Sequence, residues 1–162
     1  MVRSMMAPTR ARQRRSYNEG ENMNKTFVWS VIAMFLMSMI LGFVVHGVLL
    51  GGEYAKLMNI FRTPEDSQHH FQYMILAHVF LAIGWTWIYR MGRENKPWVG
   101  QGVRFGIAVA VLCTIPTYMI YFAVQPMPSD MVALQIAYDT IASVIMGITV
   151  AAVNRDPLPA RA

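Results

Sequence analysis

Cysteine and charge are both scarce in this sequence. Cys113 is the single cysteine among 162 residues, which excludes an intramolecular disulfide framework and a zinc site built from cysteine thiolates. Charged residues make up 14% of the chain, whereas soluble globular proteins carry about 25%. The composition therefore argues against an ordinary soluble domain.

Motifs of conventional enzyme chemistry are also missing. The sequence contains no glycine-rich phosphate-binding loop, no nucleophile elbow and no HEXXH metal motif. We therefore expect a protein without enzymatic activity.

Long apolar runs are what the sequence has instead. Residues of the AVILMFWYC group make up 55% of the chain. A helix needs about 20 mostly apolar residues to cross a bilayer, and helices of soluble cores are rarely apolar all round over that length. Four nearly uncharged stretches meet this requirement, and we predict transmembrane helices at 26–50, 71–90, 104–125 and 130–153. The fold class predicted is an all-α membrane protein with one transmembrane domain, residues 26–154.

The charges that remain are distributed unevenly between the predicted loops. Basic residues precede the first span and surround the loop between the second and third: Arg3, Arg10, Arg12, Arg14, Arg15, Arg90, Arg93, Lys96 and Arg104. The segments 51–70 and 125–130 carry more acidic than basic side chains. Basic residues beside membrane spans stay in the cytoplasm, so both termini are predicted to be cytoplasmic. The same distribution explains the net charge of +5, so no nucleic-acid partner is expected. It also favours the bacterial inner membrane as the location of the protein.

Both ends of the chain are polar. Residues 1–25 are basic and lack hydrophobic periodicity, so we predict a disordered leader, and residues 155–162 are predicted to be a short cytoplasmic tail. The run Glu19-Gly20-Glu21-Asn22 can be encoded by purine-rich codons resembling a bacterial ribosome-binding site. We therefore expect translation to start at Met23.

The first outer segment contains two helix signals. Its stretch EYAKLMNIFR places apolar residues at i, i+3, i+4 and i+7, namely Tyr54, Leu57, Met58 and Phe61, which predicts a short helix on the outer membrane surface. Thr63 can cap the following helix and Pro64 fits its first position. The second membrane helix is therefore predicted to begin near Pro64 and to run to Met91.

Stripes of small residues predict how the spans pack. In lipid, helices associate where small side chains let their backbones approach. The stripes comprise Ser38 and Gly42 in the first span, Gly102, Gly106 and Ala110 in the third, and Ser143 and Gly147 in the fourth. Short loops make neighbouring helices antiparallel, so we predict an up-down four-helix bundle. Pro116 is predicted to kink the third helix near Cys113 and Thr114. The same stripes leave a homo-oligomer or a larger membrane complex open.

Polar side chains from all four predicted spans fall at similar depth near the outer boundary. At 1.5 Å per residue, Asp139, His78 and His46 lie roughly 13, 10 and 6 Å below it. A charged aspartate in lipid is unfavourable by about 2.5–3.5 kcal/mol, so Asp139 should point into the bundle. The predicted polar cluster comprises His46, His78, Tyr118, Tyr121, Gln135 and Asp139.

Three interpretations of this cluster stay open. It is a structural knot that fixes helix register, in a non-enzymatic accessory or structural membrane subunit without a cofactor. Alternatively it is a proton, ion or small-ligand site of a small transporter, with His46, His78 and Asp139 as candidate metal ligands. In the third interpretation, His46 and His78 hold a b-type haem.

Two stretches carry a resemblance to known proteins. They are HGVLLGGEYAKLMNIFRTPED and IPTYMIYFAVQPMPSDMVALQIAYDTIASVIMGI. The chain resembles a group of small bacterial inner-membrane proteins with four helices, which belong to the class of domains of unknown function. The resemblance covers residues 27–154 and implies topology alone, since no catalytic residue can be carried over from that group.

Overall fold

The computed structural model describes residues 10–57 and 59–155, and every regular element within those ranges is helical. The α-helices are α1 (Arg10–Gly42), α2 (Gly51–Ala55), α3 (Pro64–His69), α4 (Phe71–Gly92), α5 (Trp98–Val109), α6 (Ile115–Val124) and α7 (Ser129–Val153). Two π-helical segments interrupt them. Phe43–Leu49 continues α1, and Ala110–Thr114 joins α5 to α6.

Four helical stretches are long and apolar enough to cross a membrane. They are Asn24–Leu49, Phe71–Gly92, Trp98–Val124 and Ser129–Val153. This confirms the four predicted spans by length and composition. The third helix begins at Trp98, earlier than the predicted 104, because the helix starts directly after Pro97, whose fixed φ suits the residue that precedes a helix.

The N-terminal segment includes the start of α1. The sequence predicts a disordered leader over residues 1–25, and α1 begins within those residues, at Arg10. A helix that is already nucleated extends easily through good helix formers such as arginine, glutamine and glutamate. Lys25 and Glu21 add an i, i+4 ion pair of 2.8 Å. Residues 1–9 and 156–162 lie outside the described residues.

The segment 51–70, which is predicted to lie outside the membrane, folds onto the bundle. The Thr63 hydroxyl accepts a hydrogen bond from the Asp66 amide at 3.3 Å, as its predicted capping role requires. The helix that follows is broken at His70, with φ −108° and ψ 6°, so α3 and α4 are separate. The predicted surface helix is reduced to α2 and a run of turns. Its apolar side chains Tyr54, Leu57 and Phe61 pack on a core cluster that includes Met131 and Val132 of α7; Met58 lies outside the described residues.

Contacts at the two ends of the bundle give the direction of each helix. At one end the Asn154 amide donates to the Ser30 hydroxyl at 2.7 Å, and Arg93 donates to the Asn154 carbonyl at 2.5 Å. At the other end His46 lies beside Asp139. Successive spans therefore run in alternating directions, and α1 begins at the end where α7 finishes. We call these the Asn154 end and the Asp139 end.

Helices α5 and α7 meet backbone to backbone. A Cβ atom on Gly106 would lie 2.5 Å from the Ser143 carbonyl oxygen, and one on Gly102 would lie 2.7 Å from the Gly147 oxygen. Ala110 is buried beside them. In α1, a Cβ on Gly42 would lie 3.3 Å from the His78 ring. The small-residue stripes are thus used for contacts within this chain.

A core cluster occupies the Asn154 end of the bundle. Its buried members are Met34, Ala82, Trp85, Tyr89, Met146, Val150 and Ala151. The rings of Trp85 and Tyr89 meet the edge of Phe105 at 5.3 and 5.4 Å between centroids, which joins α4 to α5. The π-helical segment Ala110–Thr114 stands where a kink is predicted, and α6 begins beside Pro116, whose missing N–H cannot continue the regular hydrogen-bond pattern.

Candidate functional site

Five polar side chains meet at the Asp139 end, and we call them the polar cluster. They are His46 of the π-helical segment Phe43–Leu49, Tyr54 of α2, Tyr118 of α6, and Gln135 and Asp139 of α7. Gln135 and Asp139 are one helical turn apart, so they share a face of α7. The cluster joins three spans to the outer segment.

Asp139 is the acceptor at the centre of the polar cluster. The Tyr118 hydroxyl donates a short hydrogen bond to Oδ2 of Asp139, and Nε2 of His46 lies 3.4 Å from Oδ1. The Asp139 side chain is 20% exposed. It therefore points into the bundle, where hydrogen-bond donors offset the unfavourable transfer of a carboxylate into lipid.

Tyr54 extends the cluster on the other side of His46. The Gln135 amide donates to the Tyr54 oxygen at 3.0 Å, and Nδ1 of His46 lies 2.8 Å from the same hydroxyl. A hydroxyl that accepts from Gln135 has its own proton to donate to Nδ1. The proton of a neutral His46 then sits on Nε2, facing Asp139. Donation thus runs from Gln135 through Tyr54 to His46, whose Nε2 lies 3.4 Å from Asp139.

Burial changes the acidity of Tyr54, which lies outside the spans. It raises the pKa of the Tyr54 hydroxyl above its ordinary value, because the phenolate loses solvation. The hydrogen bond from Gln135 works in the opposite direction, and the charge of Asp139 raises the pKa further. Tyr54 is consequently held as a neutral hydroxyl that can both accept and donate.

Sequence analysis did not place Tyr54 in this site. Its position in an apolar stripe predicts a membrane-surface role, but the same stripe packs on α7. The Gly51-Gly52 pair, which forms the start of α2, indicates where the first span ends, but residue spacing does not indicate that Tyr54 faces α7.

One acceptor of the polar cluster is left unpaired. Gln135 is 3% exposed, and its Oε1 atom has no hydrogen-bond partner among the described residues. A buried acceptor without a donor is unfavourable by about 1–3 kcal/mol. Oε1 is therefore available to accept a hydrogen bond from water or to coordinate a cation.

His78 and Tyr121 do not join the polar cluster, although the sequence places them at the same depth. Ser38 donates to the Phe35 carbonyl at 2.9 Å, so its oxygen accepts from Nδ1 of His78, also at 2.9 Å. Tyr121 is 46% exposed. Residue spacing gives the depth of a side chain along its helix. The direction in which the side chain points around the helix axis depends on the neighbours against which the helix packs.

The arrangement does not fit the predicted haem. Nδ1 and Nε2 of His46 contact Tyr54 and Asp139, so an iron ligand could be made only by breaking the cluster. His78 is turned towards Ser38 and Gly42 of α1. The described residues contain no group of three or more histidine, cysteine, aspartate or glutamate side chains placed to hold a metal ion.

No protein-family model, curated protein or solved structure matches this chain. The fold defines the class: a helical protein with four helices long and apolar enough to span a membrane. The polar cluster can fix the packing of its helices or exchange a proton between neighbouring groups.

Proposed function

We propose that this chain is a non-enzymatic protein of the bacterial inner membrane, with both termini in the cytoplasm, that serves as a structural or accessory subunit. Four apolar spans support its insertion into a bilayer, and the basic residues at the Asn154 end support the orientation. We also propose that the chain belongs to the group of small bacterial four-helix membrane proteins that its sequence resembles.

The row of hydrogen bonds through the polar cluster carries this proposal. Tyr54 donates to His46, Tyr118 donates to Asp139, and Nε2 of His46 lies 3.4 Å from the same carboxylate. Polar groups that pair in this way add interhelical hydrogen bonds to the close packing that holds helices together in lipid. The cluster also holds α2 against the bundle, which gives the outer face a fixed shape for a neighbouring subunit.

Matched tyrosine variants test the structural role. Tyr118→Phe removes the donor to Asp139 and should lower the free energy of unfolding by about 1–3 kcal/mol. Tyr121→Phe makes the same chemical change at a half-exposed position of the same helix and should leave it unchanged. Thermal unfolding in detergent, with protein yield from membranes, measures both. Equal stability of the two variants would contradict the structural role of the polar cluster.

The accessory role is tested separately by cross-linking in membranes. A tagged full-length chain treated with a membrane-permeant cross-linker should recover a second membrane protein, or a second copy, in constant proportion. Recovery of the uncross-linked monomer alone would refute the accessory role while leaving the structural role of the cluster intact.

A second candidate function is reversible binding of a proton or a small cation. It is favoured by the unpaired Oε1 of Gln135 beside the Asp139–His46 pair, and by the 40% exposure of the His46 side chain. Infrared spectra recorded during a pH titration should show a carboxyl band that Asp139→Asn removes and Asp130→Asn in the outer turn retains. A spectrum that neither variant changes would exclude this function.

A further inference from the structure

A cleft opens at the Asn154 end, opposite the polar cluster. It has a volume of about 450 Å³ and lies between the end of α4, the following loop and the first half of α5. Its walls include Ile88, Arg93, Glu94, Lys96, Arg104 and Phe105. Pockets for small ligands typically measure about 300–1,000 Å³.

The polar wall of the cleft carries an excess of positive charge. It holds three basic side chains, Arg93, Lys96 and Arg104, and the single acid Glu94. Lys96 forms an ion pair with Glu94, and Arg93 donates to the Asn154 carbonyl at 2.5 Å. Arg104 lies exposed in α5.

Among the described residues, the guanidinium of Arg104 has no competing partner. It forms no hydrogen bond or ion pair with a described residue, although its charge reaches Glu94. The pKa of the Glu94 carboxyl lies below its ordinary value, mainly because it is bonded to Lys96 and faces its charge, and Arg104 contributes to the same effect. The carboxylate thus neutralises Lys96, while the Arg104 donors are left for an external anion.

Apolar side chains also line the cleft. Ile88 is 55% exposed, and Phe105 is held by the rings of Trp85 and Tyr89. The second candidate span ends at Gly92 and the third begins at Trp98. Arg93 and Lys96 therefore lie between the two spans. Ile88 lies one turn before the end of the second, and Arg104 lies six residues after the start of the third. Positively charged side chains beside an apolar surface suit a phospholipid, which has an anionic headgroup attached to apolar acyl chains.

We propose that this cleft binds the phosphate-bearing headgroup of an anionic phospholipid, with Arg104 as its principal ligand. A guanidinium can donate two parallel hydrogen bonds to phosphate oxygens. Arg93 and Lys96 add positive charge, and the acyl chains lie along Ile88 on the outside of the bundle. Basic pockets between membrane helices bind acidic lipids in this manner. The inference does not depend on the function proposed for the polar cluster.

Lipid titration of the purified full-length protein in detergent tests this inference. Phosphatidylglycerol and phosphatidylcholine are added separately, and bound lipid is counted by native mass spectrometry. Phosphatidylglycerol should be retained preferentially. Arg104→Gln should weaken its binding about fivefold, which corresponds to the loss of one cationic contact near a membrane surface. Arg62→Gln at the Asp139 end removes the same charge and should change binding less than twofold.

Glycerol 3-phosphate separates the lipid from a soluble phosphate ester. If an excess of it does not displace phosphatidylglycerol, the acyl chains contribute and the proposal stands. If it displaces the lipid at equal concentration, the cleft binds free phosphate esters and the lipid assignment is wrong. Equal binding of the two lipids, or equal losses in the Arg104 and Arg62 variants, would also overturn the proposal.

Discussion

An aspartate within an apolar helix has few stable arrangements, and Asp139 adopts one in which donors approach from two sides. Tyr118 donates from α6 and His46 faces it from the end of the first span. The sequence predicts this inward direction from the unfavourable transfer of charge into lipid. It does not predict the choice between His46 and His78, which have similar chemistry and similar depth.

Tyr54 is expected to make stability depend on pH in the alkaline range. Its pKa is raised in the folded protein, so the folded state holds the proton more tightly than the unfolded state, whose tyrosine pKa is about 10. The stability that this provides is complete below pH of about 10 and is lost as pH rises through the folded pKa. Tyr54→Phe should remove that part of the alkaline decline.

Ultraviolet titration of the phenolate measures the same property directly. The difference between wild type and Tyr54→Phe isolates one tyrosine among seven. Its midpoint should lie above that of an ordinary tyrosine. A midpoint at the ordinary value would show that water reaches the Tyr54 hydroxyl and that its burial against the bundle is not maintained.

At the scale of the helices, close backbone contact decides which spans become neighbours. Gly102 and Gly106 of α5 face Ser143 and Gly147 of α7 without room for a Cβ atom. The spacing of these glycines predicts a packing stripe on each helix. Spacing alone does not say whether the partner stripe belongs to the same chain or to another one.

Gly147→Ala is expected to destabilise the bundle. Its new methyl group would meet the backbone of both Gly102 and Gly106, and such overpacking is unfavourable by about 1–3 kcal/mol. Thermal unfolding in detergent should show a lower midpoint than in the wild type.

Gly84→Ala provides the matched control for that substitution. Gly84 also lies within a membrane helix, but nothing stands within 4 Å of an added Cβ. Alanine favours helix over glycine by about 1 kcal/mol, so this variant should be unchanged or slightly more stable. If both variants unfold at the wild-type temperature, the α5–α7 contact is looser than the structure shows.

The two ends of the molecule differ in charge. The polar cluster and the acidic outer segment lie at the Asp139 end, whereas the basic cleft lies at the Asn154 end. This asymmetry agrees with the retention of basic residues in the cytoplasm. The proposed lipid site would then face the cytoplasmic leaflet.

Cysteine labelling in intact cells tests this orientation. In a chain whose own cysteine is removed by Cys113→Ala, Lys56→Cys should react with a membrane-impermeant maleimide. Arg155→Cys should react only after the membrane is permeabilised. Both positions are exposed, so a difference between them reports sidedness. Labelling of Arg155→Cys alone in intact cells would reverse the proposed topology.

The sequence by itself determined the number of spans, their approximate ends and the small residues that line them, because lipid imposes length, composition and internal hydrogen bonding on any helix that crosses it. Tertiary structure alone decided that Tyr54 enters the polar cluster, that His78 turns to Ser38, and that a basic cleft forms beside Arg104. These outcomes depend on the rotation of each helix about its axis and on the path of the outer segment. Both are set by contacts between residues far apart in the chain, which local periodicity does not encode.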